Sequence, residues 1–135
     1  MTSSQILYGQ VNGRRRRHAD RVLLLDTKHL LLSYRGECRG LDNHLQVSLL
    51  ETLYIRCGTD VSFKLLAISA WGKGFDRQAY VRPLQERLGG VRTVLRDELG
   101  VDAIKPTGSE TWSWVDDRLD LRRCLLRSSA NPAKR

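Results

Sequence analysis

Two short apolar runs, Arg21 to Leu25 (RVLLL) and Leu30 to Tyr34 (LLLSY), flank the polar interval Asp26-Thr27-Lys28-His29. Apolar segments of this length bounded by turn residues predict strands, here two joined by a turn. Arg35-Gly36-Glu37 turns the chain again into Cys38 to Leu41, so a small antiparallel sheet of about three strands is the simplest product. The leucines of RVLLLDTKHLLL are also compatible with a helix, which leucine favours.

From Asp42 the period lengthens. Leu45, Leu49, Leu50 and Leu53 recur at helical intervals, and Gly58 marks their end. Asp42 or Asn43 can cap the first turn through a side-chain oxygen. Ser62 is a second candidate cap, followed by Leu65, Leu66, Ile68 and Ala70, until Trp71-Gly72-Lys73-Gly74 stops the pattern.

A third helix is predicted across QERLGGVRTVLRDELG, with Pro83 near its first turn and Gly100 just past its end. At about 100° per residue, Val81, Leu84, Leu88, Val91, Leu95 and Leu99 fall within one sector about 80° wide. Outside that sector lie Arg82, Gln85, Gly89, Arg92, Thr93 and Arg96, with Gly90 somewhat to one side. Adjacent glycines cost a helix up to about 1 kcal/mol each relative to alanine. Two readings are open: one rod whose outward polar face the glycines thin, or a break between two shorter helices, Pro83 to Leu88 and Val91 to Leu99.

Beyond Gly100, Val101 to Pro106 reads as extended, Thr107-Gly108-Ser109-Glu110 as a turn and Thr111 to Val115 as an alternating strand, which together predict a hairpin. Trp112 and Trp114 alternate onto one face and are expected in the core, with Tyr34, Tyr54 and Phe63 packed under the helices. Asp117 to Arg127 is read as a short helix with Leu121, Leu125 and Leu126 on one side.

Length and charge sharpen this picture. A chain of 135 residues is ordinarily one domain. No apolar run approaches the roughly 18 residues that span a bilayer, and Ile6-Leu7-Tyr8 precedes the arginines instead of following them as a secretory signal requires. A cytoplasmic protein with no membrane partner is expected. Cys38, Cys57 and Cys124 are odd in number and scattered, which predicts free thiols. The net charge of +8 divides into +4 over residues 1–21, +1 over 22–115 and +3 over 116–135. The expected organisation is therefore a basic arm (1–21), a nearly neutral domain (22–115) and a basic C-terminal extension (116–135). Basic ends on a neutral body point to an anionic partner, nucleic acid first.

The order of strands, three helices and a terminal hairpin resembles the winged-helix effector domain of the OmpR/PhoB response-regulator class over residues 22–115. Leu41-Asp42 opening the first helix, Leu49-Leu50 and Leu53 inside it, and Gly58 before Val61-Ser62 carry the resemblance. So do Leu66 leading to Trp71-Gly72, Leu95-Arg96-Asp97-Glu98-Leu99-Gly100, and Gly108 to Trp112. It implies an α+β fold in which the third helix enters the major groove of double-stranded DNA and the hairpin forms a wing on the backbone or minor groove. It also implies contact with RNA polymerase through the 72–80 loop and a homodimer on paired half-sites. The chain departs from the family at Asp97-Glu98, where basic residues are common, and in lacking the second glycine of the wing turn. It is expected to act without a receiver domain.

The side chains of the third helix suit that role on their own chemistry. Arg82, Arg92 and Arg96 can donate bidentately to guanine or phosphate, Gln85 can pair with adenine, and Thr93 can bond or touch thymine. Gly89, with Gly90, would let the backbone approach the duplex. Lys105 and Thr107 flank the wing as expected backbone contacts, and Arg14, Arg15, Arg16 and Arg17 suit a minor groove or a line of phosphates.

No catalytic constellation, metal spacing or cofactor motif accompanies these residues. His18, His29 and His44 lack a nucleophile or ligand pattern, and Asp116, Asp117 and Asp120 interleave with Arg118, Arg122 and Arg123 as in a salt-bridged helix start. A non-enzymatic, nucleoid-associated, sequence-specific transcription regulator is the leading reading. A protein-interaction adaptor on the same scaffold and a nonspecific nucleic-acid binder are its alternatives.

Overall fold

The computed structural model describes residues 5–10, 20–72 and 76–126. Strands β2 (Arg21–Asp26), β3 (Leu31–Tyr34) and β4 (Glu37–Gly40) form successive antiparallel neighbours. The β2–β3 turn is closed by Asp26, whose carboxylate accepts the backbone N–H groups of Lys28 (3.0 Å) and His29 (2.9 Å). A side chain that mimics a turn's own hydrogen bonding in this way is what favours aspartate there. Arg35 and Gly36 both take positive φ (51° and 86°) between the paired residues Tyr34 and Glu37. Two successive positive φ values are the demand of a type I′ hairpin.

The sheet is larger than the three strands expected. It has five, in the order β1-β8-β2-β3-β4, with β1 (Gln5–Gln10) antiparallel to β8 (Leu119–Leu126) and β8 parallel to β2. The segment expected as a short helix over Asp117 to Arg127 is thus a strand. Leu119 and Leu121 alternate at period two and are both fully buried, and a position between two strands satisfies the β8 backbone on both sides. That tertiary setting overrides leucine's helix preference. The basic segment 1–21 likewise contributes β1 to this sheet.

The aspartates at the wing's trailing end are not a helix start. Asp116 receives the Arg21 guanidinium at 2.7 Å through both carboxylate oxygens, and Arg118 bonds Asp20 at 2.9 Å. These pairs staple the approach to β8 against the start of β2.

Among the described residues three helices follow β4. In α1 (His44–Ile55), Asn43 is the cap that accepts the Gln46 N–H; in α2 (Phe63–Trp71), Ser62 accepts the Leu65 N–H and Gly72 closes the helix in the left-handed region (φ 69°). A short strand not foreseen, β5 (Val61–Ser62), joins β7 (Thr111–Trp114) and β6 (Ile104–Gly108) in a second sheet of order β5-β7-β6. The β6 strand runs to Gly108, so the wing turn is confined to Ser109-Glu110 rather than spanning 107–110.

Helix α3 (Arg77–Thr93) starts six residues before Pro83, capped by Asp76, which accepts the Gln78 N–H. The proline therefore sits inside the helix instead of opening it. Polar first turns carry no apolar period, so only the cap marked this start. The helix crosses Gly89-Gly90 without a break, then widens into a π segment over Val94–Glu98, where the Leu99 N–H donates to the Val94 carbonyl at 3.0 Å.

One core unites the helices with both sheets. Leu23, Leu25 and Leu32 meet Leu49, Leu50 and Leu53 of α1, Leu66 of α2 and the α3 row Leu84, Leu88, Val91 and Leu95, all essentially inaccessible to solvent. Trp112 and Trp114 belong to it, as do Tyr34, Tyr54 and Phe63. The Tyr54 and Trp114 rings meet edge to face at 5.0 Å, a favoured aromatic arrangement.

None of the three cysteines, all among the described residues, is in a disulfide. Cys38 is exposed, whereas Cys124 is buried and burial pushes its thiol from 9.0 up to about 11. Because the fold holds this proton more tightly than the open chain does, the stability it contributes is complete below pH 9 and lost as pH rises toward 11. At pH 8, iodoacetamide is expected to alkylate Cys38 in the folded protein and Cys124 only after denaturation, as read by peptide mass spectrometry.

Candidate nucleic-acid interface

The third helix is held from behind and free in front. It packs on α1 and α2, with Leu84, Leu88, Val91 and Leu95 fully buried and Leu99 nearly so. Arg82, Gln85, Thr93 and Arg96 are exposed on the other side, while Gly89 and Arg92 are half-buried. From Arg82 to Arg96 this row is about 21 Å long at 1.5 Å per residue. That length matches about six base pairs at 3.4 Å each.

The arginines differ in their engagements. Arg82 lies 3.5 Å from Glu86, one turn on, and Arg96 bonds Asp97 at 3.0 Å. The hydrogen bond that the Arg96 Nε–H donates to Asp97 raises the Arg96 pKa above its ordinary value. Arg92 differs again: its Nε–H and that of Arg87 are buried without a hydrogen bond among the described residues. The π segment places Arg96 on a wider turn, a local geometry often found at functional sites.

The two glycines separate into different roles. A Cβ at Gly89 would meet nothing within 4 Å, so this position thins the outward face as expected. A Cβ at Gly90 would come within 2.9 Å of Gln46 Nε2. Gly90 is therefore turned toward α1, and the expectation that both glycines serve the outer face is corrected for the second.

The wing is fixed to the helices through residues the sequence reading did not single out. Arg77, in the first turn of α3, pairs with Glu110 in the wing turn. The Glu110 carbonyl also accepts the Phe63 N–H of α2 at 2.9 Å. The separation of 33 residues between Arg77 and Glu110 left no local pattern to find. Trp71 and Tyr80 stack at 4.8 Å across the α2–α3 corner. Lys105 and Thr107 are exposed on β6, and the Thr107 hydroxyl lies 3.0 Å from that of Thr111.

Arg14 to Arg17 and residues 73–75 lie outside the described residues, and the loop expected over 72–80 is shorter than that, because α3 already begins at Arg77. Among the described residues no group of three or more histidine, cysteine or acidic side chains is arranged to hold a metal ion, and no helix is long and apolar enough to cross a membrane.

No protein-family profile matches the chain, and no curated protein sequence does. Among solved structures, the crystal structure of the DNA binding domain of CpxR from E. coli aligns with a TM-score of 0.57 at 20% identity, covering 77% of this chain and 99% of that one. The chain has a winged-helix fold. The α+β class expected from the sequence holds, with α2 and α3 as the helix-turn-helix and β6–β7 as the wing. In this chain β8 lies between β1 and β2.

Proposed function

We propose that this winged helix is a sequence-specific regulator of transcription that binds double-stranded DNA in the cytoplasm. The observation that carries the reading is the division of α3 into a buried leucine row and an exposed set of Arg82, Gln85, Thr93 and Arg96, with Gly89 and Arg92 half-buried beside them. Such a helix fits a major groove about 12 Å wide, and its outward side chains match base-edge chemistry. Lys105 and Thr107 on the wing would take backbone phosphates, and the Arg14–Arg17 run would add sequence-independent attraction. Dimerisation on paired half-sites and polymerase contact through the 72–80 segment between α2 and the first turn of α3 belong to the same reading.

The test is selection from random-sequence duplexes, followed by affinity measurements across a salt series. The wild-type chain is expected to enrich one motif. Arg92→Ala with Arg96→Ala is expected to lower affinity for that motif at least about tenfold, since one bidentate base contact is worth about 1–3 kcal/mol. Substituting Arg14 to Arg17 by alanine should weaken binding to all sequences and flatten the salt slope. An unenriched pool, or a double variant that binds as the wild type does, refutes the proposal.

A second reading draws on the pairing of Arg82 with Glu86 and Arg96 with Asp97, which offsets positive charge along α3. It makes the scaffold a protein-interaction adaptor, and it is selected by a stable protein partner together with no mobility shift on DNA.

A further inference from the structure

Gln46 and the second glycine of α3 meet inside the molecule. Gln46 is only 3% exposed near the start of α1. Its Oε1 accepts the Asp42 backbone N–H at 2.7 Å, and its Nε2 donates to the Arg87 carbonyl of α3 at 3.3 Å. That carbonyl has a second lone pair beyond the one its helical bond uses. The amide is thus hooked at one end to the loop before α1 and at the other to the middle of α3.

Helix propensity alone would favour alanine at positions 89 and 90 alike. The surroundings do not. A Cβ at 89 enters open space, and a Cβ at 90 meets an amide nitrogen at 2.9 Å that is tethered on both sides. We infer that Gln46 is a positioning residue for DNA recognition: it fixes the depth and rotation of α3 in its bed, and Gly90 is the gap that admits it. This rests on the proposed DNA-binding role of α3. Gln85 lies two residues before the gripped carbonyl, and Arg92 and Thr93 lie two and three residues after Gly90. Base-edge hydrogen bonds tolerate only a few tenths of an ångström around their optimum. A change in seating therefore costs sequence preference more than it costs general attraction to phosphates.

The experiment uses the full chain and five variants: Gly89→Ala, Gly90→Ala, Gln46→Met, Gln46→Ala, and Gln46→Ala with Gly90→Ala. Two quantities are read, the thermal midpoint and the ratio of affinities for the selected motif and for random duplex. Gly89→Ala is expected to raise the midpoint and Gly90→Ala to lower it, whereas Gly90→Ala should raise it when Gln46 is already alanine. Gly90→Ala and Gln46→Met are each expected to reduce the affinity ratio about tenfold, the value of one lost bidentate contact, with random-duplex affinity held within about twofold. Gln46→Met keeps the side chain's length without its hydrogen bonds and carries the ratio test if Gly90→Ala does not fold. The inference is overturned if Gly90→Ala melts at or above the wild type, or if folded Gln46→Met keeps the full ratio. Should the wild type itself prefer no motif, the DNA reading fails separately, while the opposite midpoint shifts at 89 and 90 still decide whether Gln46 seats the helix.

Discussion

Trp114→Ala is expected to lower stability by about 3–5 kcal/mol, the range for deleting a large aromatic ring from a packed core. Trp114 is fully buried, and it is tied to three parts of the molecule. Its ring meets Tyr54 of α1 edge to face, its indole N–H donates to the Asp116 carbonyl at 2.7 Å, and its own carbonyl accepts the Gly58 N–H at 3.2 Å. Truncation removes the first two and leaves a cavity. Against a typical domain stability of about 5–15 kcal/mol, this variant is expected to be partly unfolded at 37 °C. Urea titration followed by circular dichroism checks the size. Trp114→Phe, which retains most of the ring packing and loses the indole donor, should lie well above Trp114→Ala. A Trp114→Ala variant within 1 kcal/mol of the wild type, on the order of an ordinary surface change, would contradict the core described here.

The second large effect concerns a buried carboxylate. Asp120 on β8 is inaccessible to solvent; it accepts the Tyr54 hydroxyl and the Arg122 Nε–H, the latter at 2.9 Å. Removing one partner of a buried ion pair leaves an uncompensated charge and costs about 3–5 kcal/mol, whereas removing both charges together costs far less. Arg122→Met is therefore expected to be destabilised by about 3 kcal/mol, and Asp120→Asn with Arg122→Met to recover more than half of the loss. The measurement is a double-mutant cycle in urea. Equal destabilisation of the single and double variants would show that lost packing of the arginine stem, not the charge, is responsible.

Much of this fold was legible because its elements carry their own signals. Asn43, Ser62 and Gly72 mark helix ends by local cap chemistry, and the Leu84–Leu88–Leu95 spacing marks the buried side of α3 without reference to the rest of the chain. Strand β8 escaped because its identity depends on neighbours. LDLRRCLL has leucines at both strand and helix spacing, and only the places offered by β1 and β2 decide between them. The π segment escaped for a similar reason: a widened turn changes one hydrogen bond and leaves the apolar period almost intact. At the candidate interface, residue types and face were legible for Arg82, Gln85, Thr93 and Arg96. The contacts that hold the face in place were not, because Arg77 meets Glu110 and Gln46 meets Arg87 across long stretches of chain. Gly90 shows the limit best, since no helical wheel reveals that a neighbour's amide occupies the space beside it.

Strand β1 lies at the margin of its sheet, hydrogen-bonded along one side to β8. During synthesis, β1 thus has no partner strand to join until β8 leaves the ribosome, more than a hundred residues later. Helices α1 to α3 and the wing can assemble in that interval from contacts closer in sequence. Closing the β1–β8 ladder therefore carries a large loop-entropy cost, and it ties portions of the polypeptide far apart in sequence into adjacent threads of one fabric.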